Sequence, residues 1–425
     1  MYGAARPSYL GMLDPIHNQG VRIALGAYRT SPVDSLLAEA NEPCLRLRRQ
    51  RLGLQYAVKL KSTPDNPAFK SVHQILVSTV QLFTKNPNKQ QPFGLRVRED
   101  MENLEILDEE VESFTFPTWP PWKLSQLNID LDLTRYNKST TSKETFHRAF
   151  KNLSEKYSER TCIFTDGSKD FGSVGAAAYS ISNCLQQKLN GCSSIFTAEA
   201  TAIDLALNLI KESSETSFII FSDSLSCLKA LKSVNIHDMR ISNLIEKVNA
   251  LLPEKDIVFA WVPGHVSIEG NDHADFLAKE SSKFAPPPVF APVPHTDFKQ
   301  VIKLGIWNHR KNNWSIKKTK LNKVIPELVP RKPVDLPRQH ESLISRLRIG
   351  HTPYTHLHLL LREEPPFCVG CNTAMTVEHI LLHCVDFQLI RRKYYRVSTM
   401  QDLFGVVDSL RIVGFLREIG LYGKL

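Results

Sequence analysis

Residues 163–170 read IFTDGSKD. Ile163, Phe164 and Thr165 make a strand-like run that ends on Asp166, followed by Gly167 and Ser168. Taken alone, Asp-Gly is a turn signal, and Asp166 would simply open a turn. The segments downstream suggest more. TCIFTDG (161–167) and VGAAAYSI (174–181) are spaced as a hairpin. FTAEATAIDLALNLIKES (196–213) has helical periodicity. SFIIFSD (217–223) is a short continuous apolar run, as expected of a strand covered on both faces. Two helical segments follow, SLSCLKALKS (224–233), with Ser224 a candidate cap, and ISNLIEKVNALL (241–252). DIVFAWV (256–262) is another strand, and PGHVSIEGNDHADFLAKE (263–280) is a loop leading into a last helix. The order β-β-α-β-α-α-β-α predicts an α/β domain, a mixed sheet flanked by helices.

The chain has 425 residues, of which 42% are hydrophobic and 23% charged, ordinary values for a globular protein of two or three domains. No apolar run approaches the roughly 18 residues of a membrane span. Asp14, His17 and Asn18 interrupt the first 20 residues, which argues against a secretory signal. Eight scattered cysteines suggest a reducing, intracellular setting, with nucleus and cytoplasm not distinguished. The net charge of +9 makes an acidic partner plausible. Residues 296–350 hold 13 Lys and Arg against 4 Asp and Glu. Residues 101–115 are acidic, with Glu102, Glu105, Asp108, Glu109, Glu110 and Glu112 and no base.

Four regions are expected: a helical, basic segment closed by the acidic run (1–115), the α/β domain (160–284), a stiff Pro-rich linker (285–295), and a basic helical region with a cysteine cluster (296–425). The Pro-rich FTFPTWPPW (114–122) should be irregular. No internal repeat is seen.

Four carboxylates stand in unusual places. On the 196–213 helix, Thr201, Asp204, Asn208 and Lys211 mark the expected solvent face. Glu199 points ~160° away, in line with Ile203, Ala206 and Ile210. A carboxylate on that face needs a partner. Asp223 ends an apolar strand, where ligands bind in open α/β sheets, and Asp275 lies just after a glycine-containing loop. Asp166, Glu199, Asp223 and Asp275 can converge, and four converging carboxylates cannot all stay ionised without a cation. An oxygen-only set suits Mg²⁺ or Mn²⁺, and two such ions can clamp the attacking and leaving oxygens of a phosphodiester.

IFTDGS, TAEATAIDLAL, IFSDSLSCLKAL and WVPGHVSIEGNDHADFLAK resemble the successive motifs of type 1 ribonuclease H domains, over residues 161–281. The resemblance implies a five-stranded mixed sheet and hydrolysis of the RNA strand of RNA–DNA hybrids. Its four metal-binding carboxylates fall on Asp166, Glu199, Asp223 and Asp275, and its mobile-loop histidine, which assists proton transfer or product release, on His265. The substrate must be recognised by its 2′-hydroxyls. Gly167 would let the backbone approach a ribose, and Ser168 would hydrogen-bond it. The basic, tryptophan-bearing protrusion of some cellular members is missing. The 296–350 block, with Trp307 and Trp314, is the candidate replacement for binding nucleic acid; the competing reading is an ordinary helical surface with two core tryptophans.

CVGCNTAMTVEHILLHC (368–384) places Cys368, Cys371, His379 and Cys384 at a spacing that can close a tetrahedral Zn²⁺ site. His383, four residues after His379, is the competing nitrogen ligand. The cluster resembles the zinc-binding segment of non-LTR retrotransposon proteins, and that likeness favours His379. MLDPIHNQGVRIALGAYRTSPVDSLLAEANEPCL (12–45) resembles the end of a non-LTR reverse transcriptase. The polymerase aspartate pair is not present, so no DNA synthesis is expected. These resemblances point to the downstream part of a mobile-element polyprotein. The leading expectation is a hybrid-specific nuclease, and the alternative is a catalytically silent nucleic-acid-binding relic. Transposase or integrase relatives of the fold fit less well, because of the Gly-His loop and the order of the carboxylates.

Overall fold

The computed structural model describes residues 5–85, 91–115, 119–137, 140–233, 238–285, 291–331 and 335–425. Most of the expected Pro-rich linker, residues 286–290, lies outside the described residues, as do 116–118 of the earlier Pro-rich stretch. The chain forms two units. One comprises Gln55–Thr79 and Arg98–Ile302, and the other Met1–Leu54, Val80–Val97 and Lys303–Leu425.

The first unit is built on a mixed six-stranded sheet, one strand more than expected, in the order β1-β6-β5-β2-β3-β4. The strands are β1 (Asn128–Asp130), β2 (Thr161–Asp170), β3 (Ser173–Tyr179), β4 (Cys184–Leu189), β5 (Ser217–Ser222) and β6 (Asp256–Trp261). β1, β6, β5 and β2 run parallel, and β3 and β4 continue from β2 antiparallel. The flanking helices are α1 (Lys143–Lys156), α2 (Ile195–Glu212), α3 (Leu225–Lys232), α4 (Met239–Leu251) and α5 (Glu269–Ser282). Phe218, Ile219, Ile220 and Phe221 are all buried, as the uninterrupted apolar run of β5 requires. The Phe221 ring stacks on Phe164 at 5.0 Å and meets Phe150 of α1 edge-on at 5.4 Å. Burying each such ring contributes ~2–3 kcal/mol.

Asp166-Gly167 is not a turn, as the fuller reading of the motif expected, and two other expectations are corrected. β2 runs through to Asp170 because 166–170 pair with β3, and the turn falls at Phe171 and Gly172, where φ is 39° and 86°. The expected solvent face of α2 is largely covered by α4. Thr201 is buried, and Lys247 donates to Asp204 at 2.6 Å and Asn208 at 2.7 Å. Ser224 precedes α3 but makes no side-chain cap; its hydroxyl meets that of Ser226 at 3.2 Å.

In the second unit, helices Asp14–Leu25 and Val33–Glu39 pack on Arg338–Ile349 through Val21, Leu36 and Ile349. The fully buried Glu39 carboxylate is held by Arg348 at 2.9 Å and Arg331 at 2.9 Å. A larger core gathers Trp314, Leu321, Leu347, Ile380, Leu403 and Phe415. Among the described residues, no helix is long and apolar enough to cross a membrane.

Candidate active site and candidate metal centre

Asp166 lies one residue beyond the parallel pairing of β2 with β5, whose last pair is Thr165 with Ser222. Asp223 follows the last residue of β5, so the two carboxylates sit at the same end of adjacent parallel strands. Glu199 comes from the second turn of α2. Its helix approaches β2 closely because position 167 has no side chain; a Cβ on Gly167 would lie 2.6 Å from Glu199 N. The Gly167 N–H donates to the Glu199 carboxylate. One oxygen from each of Asp166, Glu199 and Asp223 lies within 4.8 Å of the others. Asp275, from α5, reaches the Asp166 side chain. Its carboxylate is also paired with Lys279 one turn on, at 2.6 Å.

The electrostatics of the cluster are unfavourable to its own charge. Burial, then the charges of Asp223 and Asp275, push the Asp166 carboxyl up to about 9. Burial, then Asp223 and Asp166, push Glu199 well above the usual carboxylate range. Glu199 Oε2 is buried with no hydrogen-bond partner among the described residues. An orphaned buried oxygen inside a set of mutually repelling carboxylates fits a hard divalent cation.

The loop from β6 to α5 lies against Asp223. A Cβ on Gly264 would meet Asp223 Oδ2 at 2.2 Å, and Trp261 Nε1 donates to the Asp223 carbonyl at 3.1 Å. His265 follows on this loop, exposed and with φ +62°. His147 of α1 anchors the loop by bonding to the Val266 carbonyl at 2.5 Å. That anchor was missed by sequence reasoning, because α1 lies outside the recognised motifs. Ser168 is half-buried on β2 beside Gly167. Lys279 was legible at four-residue spacing from Asp275. Lys279→Gln is expected to free Asp275 and to tighten the cluster's affinity for an added divalent ion such as Mg²⁺ by about twofold, as suits a partly exposed pair. A superimposable Mg²⁺ titration would show that the lysine does not compete for Asp275.

The second cluster is in the other unit. Strands β7 (Phe367–Cys368) and β8 (Thr373–Ala374) form a small hairpin around the Cys-x₂-Cys turn. One ligand atom from each of Cys368, Cys371, His379 and Cys384 lies within 4.8 Å of the rest, and His383 is not part of this group. Cys384 Sγ is 3.8 Å from Cys368 Sγ and 3.9 Å from Cys371 Sγ. His379 Nε2 is buried with no hydrogen-bond partner among the described residues. Three thiols and an unused imidazole nitrogen at these separations fit a tetrahedral metal such as zinc. Arg391 donates to the Cys384 carbonyl at 2.9 Å and to the Ile380 carbonyl at 3.2 Å, fixing the turn that carries two of the ligands.

The basic block divides between its two expected readings. Trp314 is a core residue that donates to the Ile325 carbonyl at 3.0 Å. Arg310 lies over Trp307 and donates to the Glu42 carbonyl at 3.0 Å, and Arg346 donates to the Gly26 carbonyl at 2.7 Å. With Arg331 and Arg348 on Glu39, four arginines of the block are engaged within the unit. Lys303, Lys311 and Lys318 remain exposed on its surface.

Residues 158–283 match the family model described as RNase H. This segment of the chain is an RNase H domain with the mixed sheet and flanking helices of that fold. The chain is also 36% identical over 130 residues to the Pol polyprotein of equine infectious anemia virus (strain Wyoming). That match takes in 30% of this chain and 11% of the polyprotein's length.

Proposed function

We propose that the protein is an endonuclease that hydrolyses the RNA strand of RNA–DNA hybrids with two divalent ions, Mg²⁺ or Mn²⁺. The observation that carries this reading is the mutually repelling cluster of Asp166, Glu199 and Asp223, joined by Asp275, with Glu199 Oε2 left unpartnered. These four side chains would hold the ions. Bound there, a pair of divalent ions supplies activation of the attacking water and charge neutralisation at the departing 3′ oxygen. The chain's own residues orient and exchange protons. Gly167 N–H fixes the Glu199 carboxylate. His265 follows Gly264, the residue of this loop that lies against Asp223, and its imidazole would pass a proton to or from the reacting oxygens or ease product release. Ser168 would bond a ribose 2′-hydroxyl, while the missing side chain at Gly167 is what lets α2 approach β2.

A labelled hybrid incubated with Mg²⁺ tests the reading. Cleavage by the wild-type chain that is lost in Asp166→Asn and Asp223→Asn supports it. Binding without cleavage favours the silent relic.

The origin we propose is the downstream part of a non-LTR retrotransposon polyprotein, supported by the likeness of 12–45 to a reverse transcriptase end, by the RNase H domain and by the Cys/His segment. A zinc ion on Cys368, Cys371, His379 and Cys384 belongs to the same reading. Nucleic-acid binding by the basic region falls to Lys303, Lys311 and Lys318 rather than to its committed arginines. Replacing all three by Gln is expected to weaken hybrid binding and to flatten the salt dependence, by about 0.9 in log–log slope for each phosphate that is no longer neutralised. An unchanged slope in filter binding would remove the region from the interface.

A further inference from the structure

The RNase H match ends at residue 283, yet the first turn of helix α2, capped by Ser194, is held by a residue beyond that span. Asp297 is 6% exposed, and its Oδ2 accepts from Ser194 N at 2.8 Å and from Thr197 Oγ1 at 2.6 Å. Thr197 is itself 2% exposed. Ser194 Oγ in turn accepts from Thr197 N at 3.1 Å. The first turn of α2 is therefore tied at two points to one buried carboxylate oxygen, and Glu199 follows two residues after Thr197.

Two flanking segments hold Asp297 in place. Residues 110–112 and 293 form a short bridge, with Glu112 N bonded to the Val293 carbonyl and Val293 N to the Glu110 carbonyl, each at 2.9 Å. Arg240 of α4 joins this bridge to α2. It donates to the Pro292 carbonyl at 3.1 Å and to Thr201 Oγ1 at 3.3 Å, and it pairs with Glu112 at 3.4 Å. Asn190, just before α2, donates to Glu109 at 2.5 Å. The acidic run thus does local work at the root of this helix.

We infer that Asp297 is a positioning residue for Glu199, and that the segments 109–112 and 291–297 are working parts of the nuclease domain although they lie outside its recognised span. The inference rests on the metal-binding reading of the four carboxylates. Glu199 has one carboxylate oxygen bonded by Gly167 and one free for an ion. A shift in the first turn of α2 moves that oxygen relative to Asp166 and Asp223, which are fixed on the sheet. Asp297 itself touches neither substrate nor ion.

The test uses the full-length, zinc-loaded chain without nucleic acid. Mn²⁺ binding is followed by electron paramagnetic resonance, with Asp166→Asn as the zero. Asp297→Ala is expected to weaken Mn²⁺ affinity about tenfold, the lower range for loss of a group that orients a metal ligand. Asp297→Asn keeps an acceptor oxygen and is expected to restore most of the affinity. Ser142→Ala loosens the first turn of a different helix, α1, where Ser142 Oγ accepts from Thr145 N at 3.3 Å. It should leave Mn²⁺ affinity unchanged. Wild-type affinity in Asp297→Ala, or equal losses in Asp297→Ala and Ser142→Ala, overturns the inference. Amide exchange is the second readout. The amides of 195–199 should exchange faster in Asp297→Ala while β5 stays protected, and unchanged protection again overturns the inference. If the wild type shows no Asp166-dependent Mn²⁺ site, the carboxylate reading fails instead, and amide exchange still decides whether Asp297 holds the turn.

Discussion

Asp166→Asn is expected to abolish hybrid cleavage and, in the same protein, to raise the melting temperature of the metal-free chain. The loss of rate should be on the order of 10³-fold, the scale of removing a group that supports charge in the transition state. The gain in stability follows from the cluster's own repulsion. Asp166 is buried beside Asp223 and Asp275, and its carboxyl is pushed up to about 9. An unfolded aspartate titrates near 3.9. A group whose pKa is raised on folding favours the folded state fully below the unfolded value. That contribution is lost as pH rises, here across the window from about 4 to about 9. At pH 8 without divalent ions, the wild-type domain therefore carries strain that Asn does not. We expect a gain of about 2 kcal/mol, or roughly 5 °C, in Asp166→Asn. At pH 4 the difference should vanish. Mg²⁺ should stabilise the wild type at pH 8 and leave the variant nearly unaffected, because an ion that binds only the folded state adds its binding free energy to stability. Thermal scans at both pH values, with and without Mg²⁺, check all of this. A variant that melts no higher than wild type at pH 8 would show that the carboxylates are relieved by something other than an ion.

Removing the metal from the Cys/His cluster is expected to unfold the segment around it. Cys384 is fully buried, and Val377, Ile380, Leu381 and Tyr395 on either side belong to the core of that unit. Apparent binding energies of ~10–16 kcal/mol are found where a thiolate zinc site organises a small peptide. A fraction of that is enough to decide the stability of residues 367–395. Elemental analysis should find about one zinc per chain, and Cys384→Ser should lose it. Hydrogen exchange in the variant, or in chelator-treated protein, should show loss of protection from β7 through Tyr395. The sheet of the RNase H domain should stay protected. Metal-free protein with four freely reactive side chains and an unchanged exchange pattern would contradict a zinc site here.

The two clusters were legible to different degrees. Cys-x₂-Cys and the spaced His379 and Cys384 announce themselves, because metal ligands at a tight turn must be close in sequence. The strands β2, β5 and β6 were legible because a strand buried on both faces is an unbroken apolar run. β4 was not. Its segment CLQQKL alternates and carries polar side chains, as an edge strand does. β1 was missed as well. It has only three residues, and its Asp130 is stabilised from a distance by Lys156 at 2.7 Å and Tyr157 at 2.9 Å. The acidic run and the arginines of the basic block were read as charge. Packing shows several of them used as connectors, Glu112 with Arg240 and Glu39 with Arg331 and Arg348.

Residue types and local periodicity were enough to outline the α/β plan and to single out Asp166, Glu199, Asp223, Asp275 and the Cys/His set as candidates. Those properties depend on neighbours a few positions away. Tertiary structure alone decided that Glu199 keeps an oxygen without a partner among the described residues, that Asp166 is pushed up to about 9 and that Asp297 ties down the first turn of α2. Each of these is set by burial and through-space distance between groups that can be a hundred or more residues apart in the chain, as with Thr197 and Asp297. No local pattern encodes such a distance.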